Sequence, residues 1–226
     1  MRSNKFTYIT ALAVGGAVTV GIYFWFIRSP YFDAFTEWSE SHTLALFFAL
    51  VALKTAGMVW PPFAGGVFTF GAIPVIGWLR AYAADLTGSA LGSTLTYWIA
   101  RRWGVAFLTR LLDAHTVAKI ARFRIPRRRE LEAVYLFRIL GTGSVVEILC
   151  YGAGLLRIGF PTFLLGSVLS HATVSLPFFY FGKELFGPRA WTAGVIFVAF
   201  VLVVFVFRKR YFGDDAITSH SHPGEP

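Results

Sequence analysis

Residues 136–154 read LFRILGTGSVVEILCYGAG, and two charges, Arg138 and Glu147, stand in a run otherwise as apolar as a membrane span. The run has about the length of one span, roughly 20 residues. On a straight helix, residues nine apart lie about 180° around and about 13 Å along the axis, so these two charges could not pair. Each would cost about 2.5–3.5 kcal/mol at bilayer depth. Gly141, Thr142 and Gly143 offer another reading: the run bends there into a hairpin whose arms bring both charges toward a common polar depth. Non-helical backbone at that depth is tolerated only when it is buried in protein or lines a watery cavity.

Composition agrees with a membrane setting. Of 226 residues, 56% are hydrophobic and 18% aromatic, with a mean hydropathy of +0.60, against about 45–50% apolar residues in soluble proteins. The formal charge of +9 is read as membrane-surface charge rather than as nucleic-acid contact, because basic residues in so apolar a chain collect in cytoplasmic loops. Cys150 is the only cysteine, which excludes a disulfide framework and suits a small core residue.

Loop charges and parity set the topology. The segment from Phe6 to Ile27 reads as an uncleaved anchor helix, and the acidic stretch 28–42 as an external loop. Residues 101–132 carry nine basic side chains against three acidic ones and should be cytoplasmic. Within them, KIARFRIPRRR (119–129) reads as an orienting basic face or as a contact for anionic lipid headgroups. The passage from an outside residue 42 to an inside residue 101 takes one re-entrant hairpin, broken at Trp60, Pro61, Pro62, Gly65 and Gly66, and one span, 80–100. Residues 132 and 208 both lie inside, and the spans Phe160–Phe181 and Ala190–Phe207 satisfy parity between them, so the opening stretch must enter and return on one side. Each half thus has a cation in the first arm (Lys54, Arg138), breakers, a glycine pair, and a proline (Pro74, Pro161) opening the next span. Inverted repeats of this plan recur in transporters with a site at the midplane.

In the span 80–100, Ala84, Gly88 and Gly92 form a small-residue stripe suited to close helix packing. Asp85 is a carboxylate inside the span, with Arg80 as the nearest basic partner in sequence. Read as an unpaired carboxylate, Asp85 should tolerate replacement by Asn without loss of folding.

MVWPPFAGGVFTFGAIPVIGWLRAYAADLTGSALGSTLTYWIARRWG (58–104) resembles the first half of the DedA and SNARE-associated Golgi protein superfamily, the VTT domain, and LFRILGTGSVVEILCYGAGLLRIGFPTFLLGSVLS (136–170) resembles the second. The likeness covers about residues 44–185 and implies two inverted re-entrant hairpins and a role in moving lipids across a bilayer. Some bacterial members are proposed as proton-coupled flippases for undecaprenyl phosphate or phospholipid. Arg138 stands at the family's hairpin arginine. The prolines that usually follow it are replaced by Gly141-Thr142-Gly143, and the acid common in the first hairpin of DedA members is absent, so the Golgi-type branch is nearer and Glu147 is left to supply an acid.

The expectation is therefore an all-α integral membrane protein: an anchor and external loop (1–43), a membrane domain (44–185, with halves 44–104 and 134–185 around a basic cytoplasmic loop, 105–133), and a C-terminal helix and tail (186–226). Expected function is a flippase or scramblase for phospholipid or polyprenyl-phosphate-type lipids, not an enzyme, in a bacterial inner (plasma) membrane with both termini cytoplasmic. Arg138, Lys54 and Arg157 are the candidate headgroup-binding residues, because a guanidinium gives phosphate paired, charge-assisted bonds. Asp85 and Glu147 are the candidates for charge balance or proton relay, and Pro61, Pro62, Gly65, Gly66, Gly141 and Gly143 for the hairpin breaks. No cofactor or metal is expected; His220 and His222 belong to a polar tail. Partners are membrane lipids, anionic or phosphate-bearing, with self-association into a homo-oligomer as a further option. Two other readings compete. An assembly or adaptor protein gives no reason for buried charges in hairpins, and an intramembrane enzyme would rest on Ser144 and His171, which form no recognisable protease or lipid-phosphatase motif.

Overall fold

The computed structural model describes residues 3–60, 62–111, 125–140, 145–185 and residue 195. Their regular elements are all helical: α1 (Ser3–Ile27), α2 (Tyr31–Ser41), α3 (Thr43–Val59), α4 (Gly65–Gly71), α5 (Ile73–Ile76), α6 (Trp78–Leu111), α7 (Glu130–Leu140) after a 3₁₀ turn at Arg127–Arg129, α8 (Val145–Leu155) and α9 (Phe160–Leu185). The chain divides into two compact units, Met1–Lys183 and Glu184–Pro226, and all of these helices but the last two residues of α9 belong to the first. The breaks at Pro61, Gly141 and Gly143, the side chain of Glu147, residues 112–124 of the basic loop and the expected span Ala190–Phe207 lie outside the described residues.

The end of α3 follows from sequence. Trp60 adopts an extended backbone (φ −119°, ψ 92°), the conformation forced on a residue that precedes proline. Beyond the break, α4 folds back on α3 with almost no side chain between them: a Cβ on Gly65 would strike the carbonyl oxygen of Leu53, and one on Gly57 would lie 2.7 Å from the Gly65 nitrogen. Gly77, at φ 82°, then turns the chain into α6, and Gly104, at φ 60°, breaks α6 near its far end.

Helix α6 is the axis of the bundle. Its first half packs on α3 along the small-residue stripe, where a Cβ on Gly88 would come within 2.6 Å of the Lys54 Cβ and one on Gly92 within 2.8 Å of the Met58 Cγ. Its second half packs on α8, with Gly154 against the Tyr97 carbonyl and Ala100. Helix α9 touches both halves: Gly166 lies against Val134 of α7 and Gly182 against the ring of Phe70 on α4. Tyr97 fastens α6 to the α8–α9 turn by donating to the Ile158 carbonyl oxygen at 2.6 Å, and Tyr151 fastens α8 to the end of α3 by donating to the Val59 carbonyl oxygen at 2.8 Å. Helix α1 joins through Tyr23, whose hydroxyl donates to the Gly71 carbonyl oxygen at 3.2 Å.

The interior mixes apolar side chains such as Leu50, Ile73, Phe163 and Phe179 with polar ones, and large apolar side chains also cover the outside. Thr69, Asp85, Ser89, Ser93, Thr96, Arg138, Ser167 and Ser170 are buried, while Leu44, Phe48, Leu91, Leu165 and Leu169 point outward. That arrangement suits a protein whose surroundings are hydrocarbon. Among the described residues, Phe160–Glu184 is by itself long and apolar enough to cross a membrane. The pair α2 and α3, bent by 111° at His42, passes the same test as a unit and is consistent with a re-entrant element.

One stretch departs from expectation. Residues 31–41, read from their charge as part of an external loop, form α2. Local aromatic contacts outweigh the charges: Phe35 packs edge-on to Phe26 at 5.2 Å and stacks on Trp38 at 6.0 Å, and Trp38 stacks on His42 at 4.9 Å. Asp33 sits in the first turn, where a carboxylate favours the helix dipole.

Candidate functional site

Four elements converge on the carboxylate of Asp85, which is 2% exposed. From α3, the Lys54 ammonium lies 2.8 Å from Oδ1. From α4, the Thr69 hydroxyl donates to the same oxygen at 2.7 Å. From α9, His171 Nε2 lies 2.7 Å from Oδ2. The expected Arg80 partner is wrong: Arg80 is exposed, and five residues on a helix place it about 140° around from Asp85. Thr69 does not figure among the sequence candidates, and His171 figures only in the competing enzyme reading. Their partner is 16 or 86 residues away, a separation that no local spacing reveals.

The packing of the glycines makes room for this cluster. A Cβ on Gly66 would stand 3.3 Å from the Lys54 ammonium, and Gly88 accepts the Lys54 stem against the α6 backbone. Gly65 and Gly66, expected as breaks, thus form the first turn of α4, and Gly66 there leaves room for the lysine. Thr69 also donates to the Gly66 carbonyl oxygen at 3.0 Å, which ties the start of α4 to the same point. Buried charges persist only when they are paired and hydrogen-bonded, and Asp85 has a donor on each of its oxygens.

Arg138, on α7, is 5% exposed and forms a second polar point. Its Nη1 donates to Cys150 Sγ of α8 at 2.6 Å and to Ser93 Oγ of α6 at 3.3 Å. Its Nε has no hydrogen-bond partner among the described residues, so the guanidinium holds donor capacity in reserve. Ser93 also lines, with Ser89, Ser167 and His171, a narrow crevice between α6 and α9. The crevice is bordered by His171, which bonds to Asp85, and by Ser93, which accepts from Arg138, and among the described residues the Ser167 hydroxyl in it is likewise unpartnered.

The structure thus brings Lys54 and Asp85 together and sets Arg138 beyond the serine-lined crevice. Arg157 is elsewhere: it is exposed on the α8–α9 turn, in the left-handed region at φ 56°. There it occupies the position glycine usually takes after a helix, with its N–H donating to the Gly154 carbonyl oxygen and the Ile158 N–H to that of Ala153. Among the described residues no group of three or more His, Cys, Asp or Glu side chains could hold a metal ion. Chemically, the site offers a carboxylate shared between a cation and an imidazole, and an arginine with an open donor.

A family model described as the VTT domain matches residues 50–184. No curated protein and no solved structure matches the chain.

Proposed function

Because the chain belongs to the VTT-domain family, within the DedA and SNARE-associated Golgi protein superfamily, we propose that this membrane protein moves phosphate-bearing lipid across a bilayer, as a flippase or scramblase. The observation that carries the reading is the burial of Asp85 and Arg138, with Lys54 and His171 half-buried beside the carboxylate, among helices that turn large apolar side chains outward. Buried ionisable groups in a membrane domain are expensive and mark ion or substrate paths.

In this reading α3–α4 and α7–α8 are two re-entrant hairpins of opposite sense, each followed by a spanning helix, α6 or α9. The arginine of the second hairpin engages the headgroup. Its planar fork suits phosphate better than a lysine's point charge, and Nε is the donor free to do so. The carboxylate of Asp85, shared by Lys54 and His171, is the exchangeable element: a proton reaching it releases both partners. Its coupling to lipid movement runs through Ser93, which lines the His171 crevice and accepts from Arg138. The setting is a bacterial inner membrane with the basic loop cytoplasmic, and the protein carries out no covalent chemistry.

Reconstitution in liposomes tests this directly. Movement of fluorescent lipids differing only in headgroup should depend on a phosphate-bearing lipid and should fall at least tenfold in Asp85→Asn and Arg138→Ala. Equal rates in protein-containing and empty vesicles across the series would overturn the proposal.

A further inference from the structure

A cavity of about 150 Å³ lies between α7, α8 and the start of α9, lined by Ile125, Val134, Leu149, Leu156, Ile158 and Phe163 among others. Its walls are apolar apart from the Arg138 side chain. A pocket of that volume has room for a guest about the size of benzene, roughly six carbons.

Exposed arginines stand beside two of the segments that line it. Ile125 lies two residues before the exposed Arg127, Arg128 and Arg129. Leu156 and Ile158 flank the exposed Arg157. The two segments are in contact, since the Gly159 N–H donates to Glu130 Oε2 at 3.2 Å. Arg101 joins these arginines, its Nη1 donating at 2.5 Å to the Tyr97 hydroxyl that holds Ile158. Apolar walls ending in a cationic rim complement one kind of occupant, an anionic amphiphile with its head at the rim.

We propose that this cavity binds the first part of one acyl chain of an anionic lipid, whose headgroup is held by Arg127, Arg128, Arg129 and Arg157. The site is separate from the Asp85 cluster but shares the Arg138 side chain with the proposed headgroup path; its binding is read without transport, so a chain that moves no lipid still binds at this rim. Its charge selectivity comes from the arginines, each contributing about fivefold near an anionic head, and its chain selectivity comes from the cavity length.

The test uses the full chain in neutral detergent, titrated below their micelle concentrations with dihexanoyl phosphatidylglycerol, dihexanoyl phosphatidylcholine and the dibutanoyl forms of both, and read by native mass spectrometry. Dihexanoyl phosphatidylglycerol should bind at least tenfold more tightly than the phosphatidylcholine and than its own butanoyl form. The triple variant Arg127→Gln, Arg128→Gln, Arg129→Gln should remove the headgroup preference and keep the chain-length preference. Leu149→Trp should do the reverse, and Ala153→Val, a smaller filling, serves if the tryptophan variant fails to fold. Equal affinity for the two headgroups, or an unaltered chain-length preference in a folded cavity-filling variant, would overturn the inference.

Discussion

The ion pair of Lys54 with Asp85 gives the most exacting test of the site. Its side chains are 14% and 3% exposed and 2.8 Å apart, so solvent screens them little. At an effective dielectric of about 20 their attraction is about 6 kcal/mol, most of it set against the cost of removing both charges from water. Deleting one partner leaves that cost without the attraction and is expected to destabilise by about 3–5 kcal/mol, whereas replacing both by neutral groups of similar volume is close to neutral. The sequence alone suggested that Asp85→Asn would melt normally; the pairing reverses this, because that variant strands the Lys54 ammonium. Chemical denaturation of the full chain in detergent, in a cycle of Lys54→Met, Asp85→Asn and the double variant, measures the coupling. Each single variant should lose about 3–5 kcal/mol and the double less than about 2, since Thr69 and His171 can still bond to Asn. A double variant as unstable as the sum of the singles would refute the reasoning.

Arg138→Lys should slow movement of a phosphate-bearing lipid and Arg138→Ala should slow it further; recovered movement in Arg138→Gln with Glu147→Gln would refute the headgroup role and favour simple charge pairing. Arg157→Gly should raise stability by about 1 kcal/mol, because glycine adopts the left-handed backbone without the penalty carried by a side chain; an unchanged or lower melting temperature would mean that contacts of the arginine outweigh its strain. In a Cys150→Ala background, a cysteine at Glu37 should react with an impermeant reagent from outside and one at Arg128 only after the inner face is opened, and labelling of both from one side would contradict the inverted arrangement.

Local rules made the end of α3 and the start of α9 readable, while Gly65 and Gly66, expected at the first break, open helix α4 instead. Pro61 dictates the extended Trp60, and the onset of α9 at Phe160 coincides with the expected span. Gly88 and Gly92 pack as their four-residue spacing suggests. Long-range pairing was not readable. Asp85 stood out as an unusual residue, but its partners come from three other helices, and Lys54 looked like a free cation because nothing in its neighbourhood announces a carboxylate 31 residues on. His171 drew notice only beside Ser144 in the enzyme reading, because no local spacing ties it to Asp85. In α2, loop charge counting missed a helix because Phe35 and Trp38 act through contacts that charge does not record.

The convergence on Asp85 also limits how the protein can move. Thr69, Lys54 and His171 reach it from α4, α3 and α9, so no hinge can be placed between the first hairpin and α9 without breaking at least one of those bonds. A rearrangement that opens the interior must either carry all four elements as one block or supply the carboxylate with a substitute partner as it parts from its own. The block reaches further still, because Tyr151 rivets α8 to the Val59 carbonyl and Tyr97 rivets α6 to that of Ile158, so a swing of α8 has to draw those two rivets first.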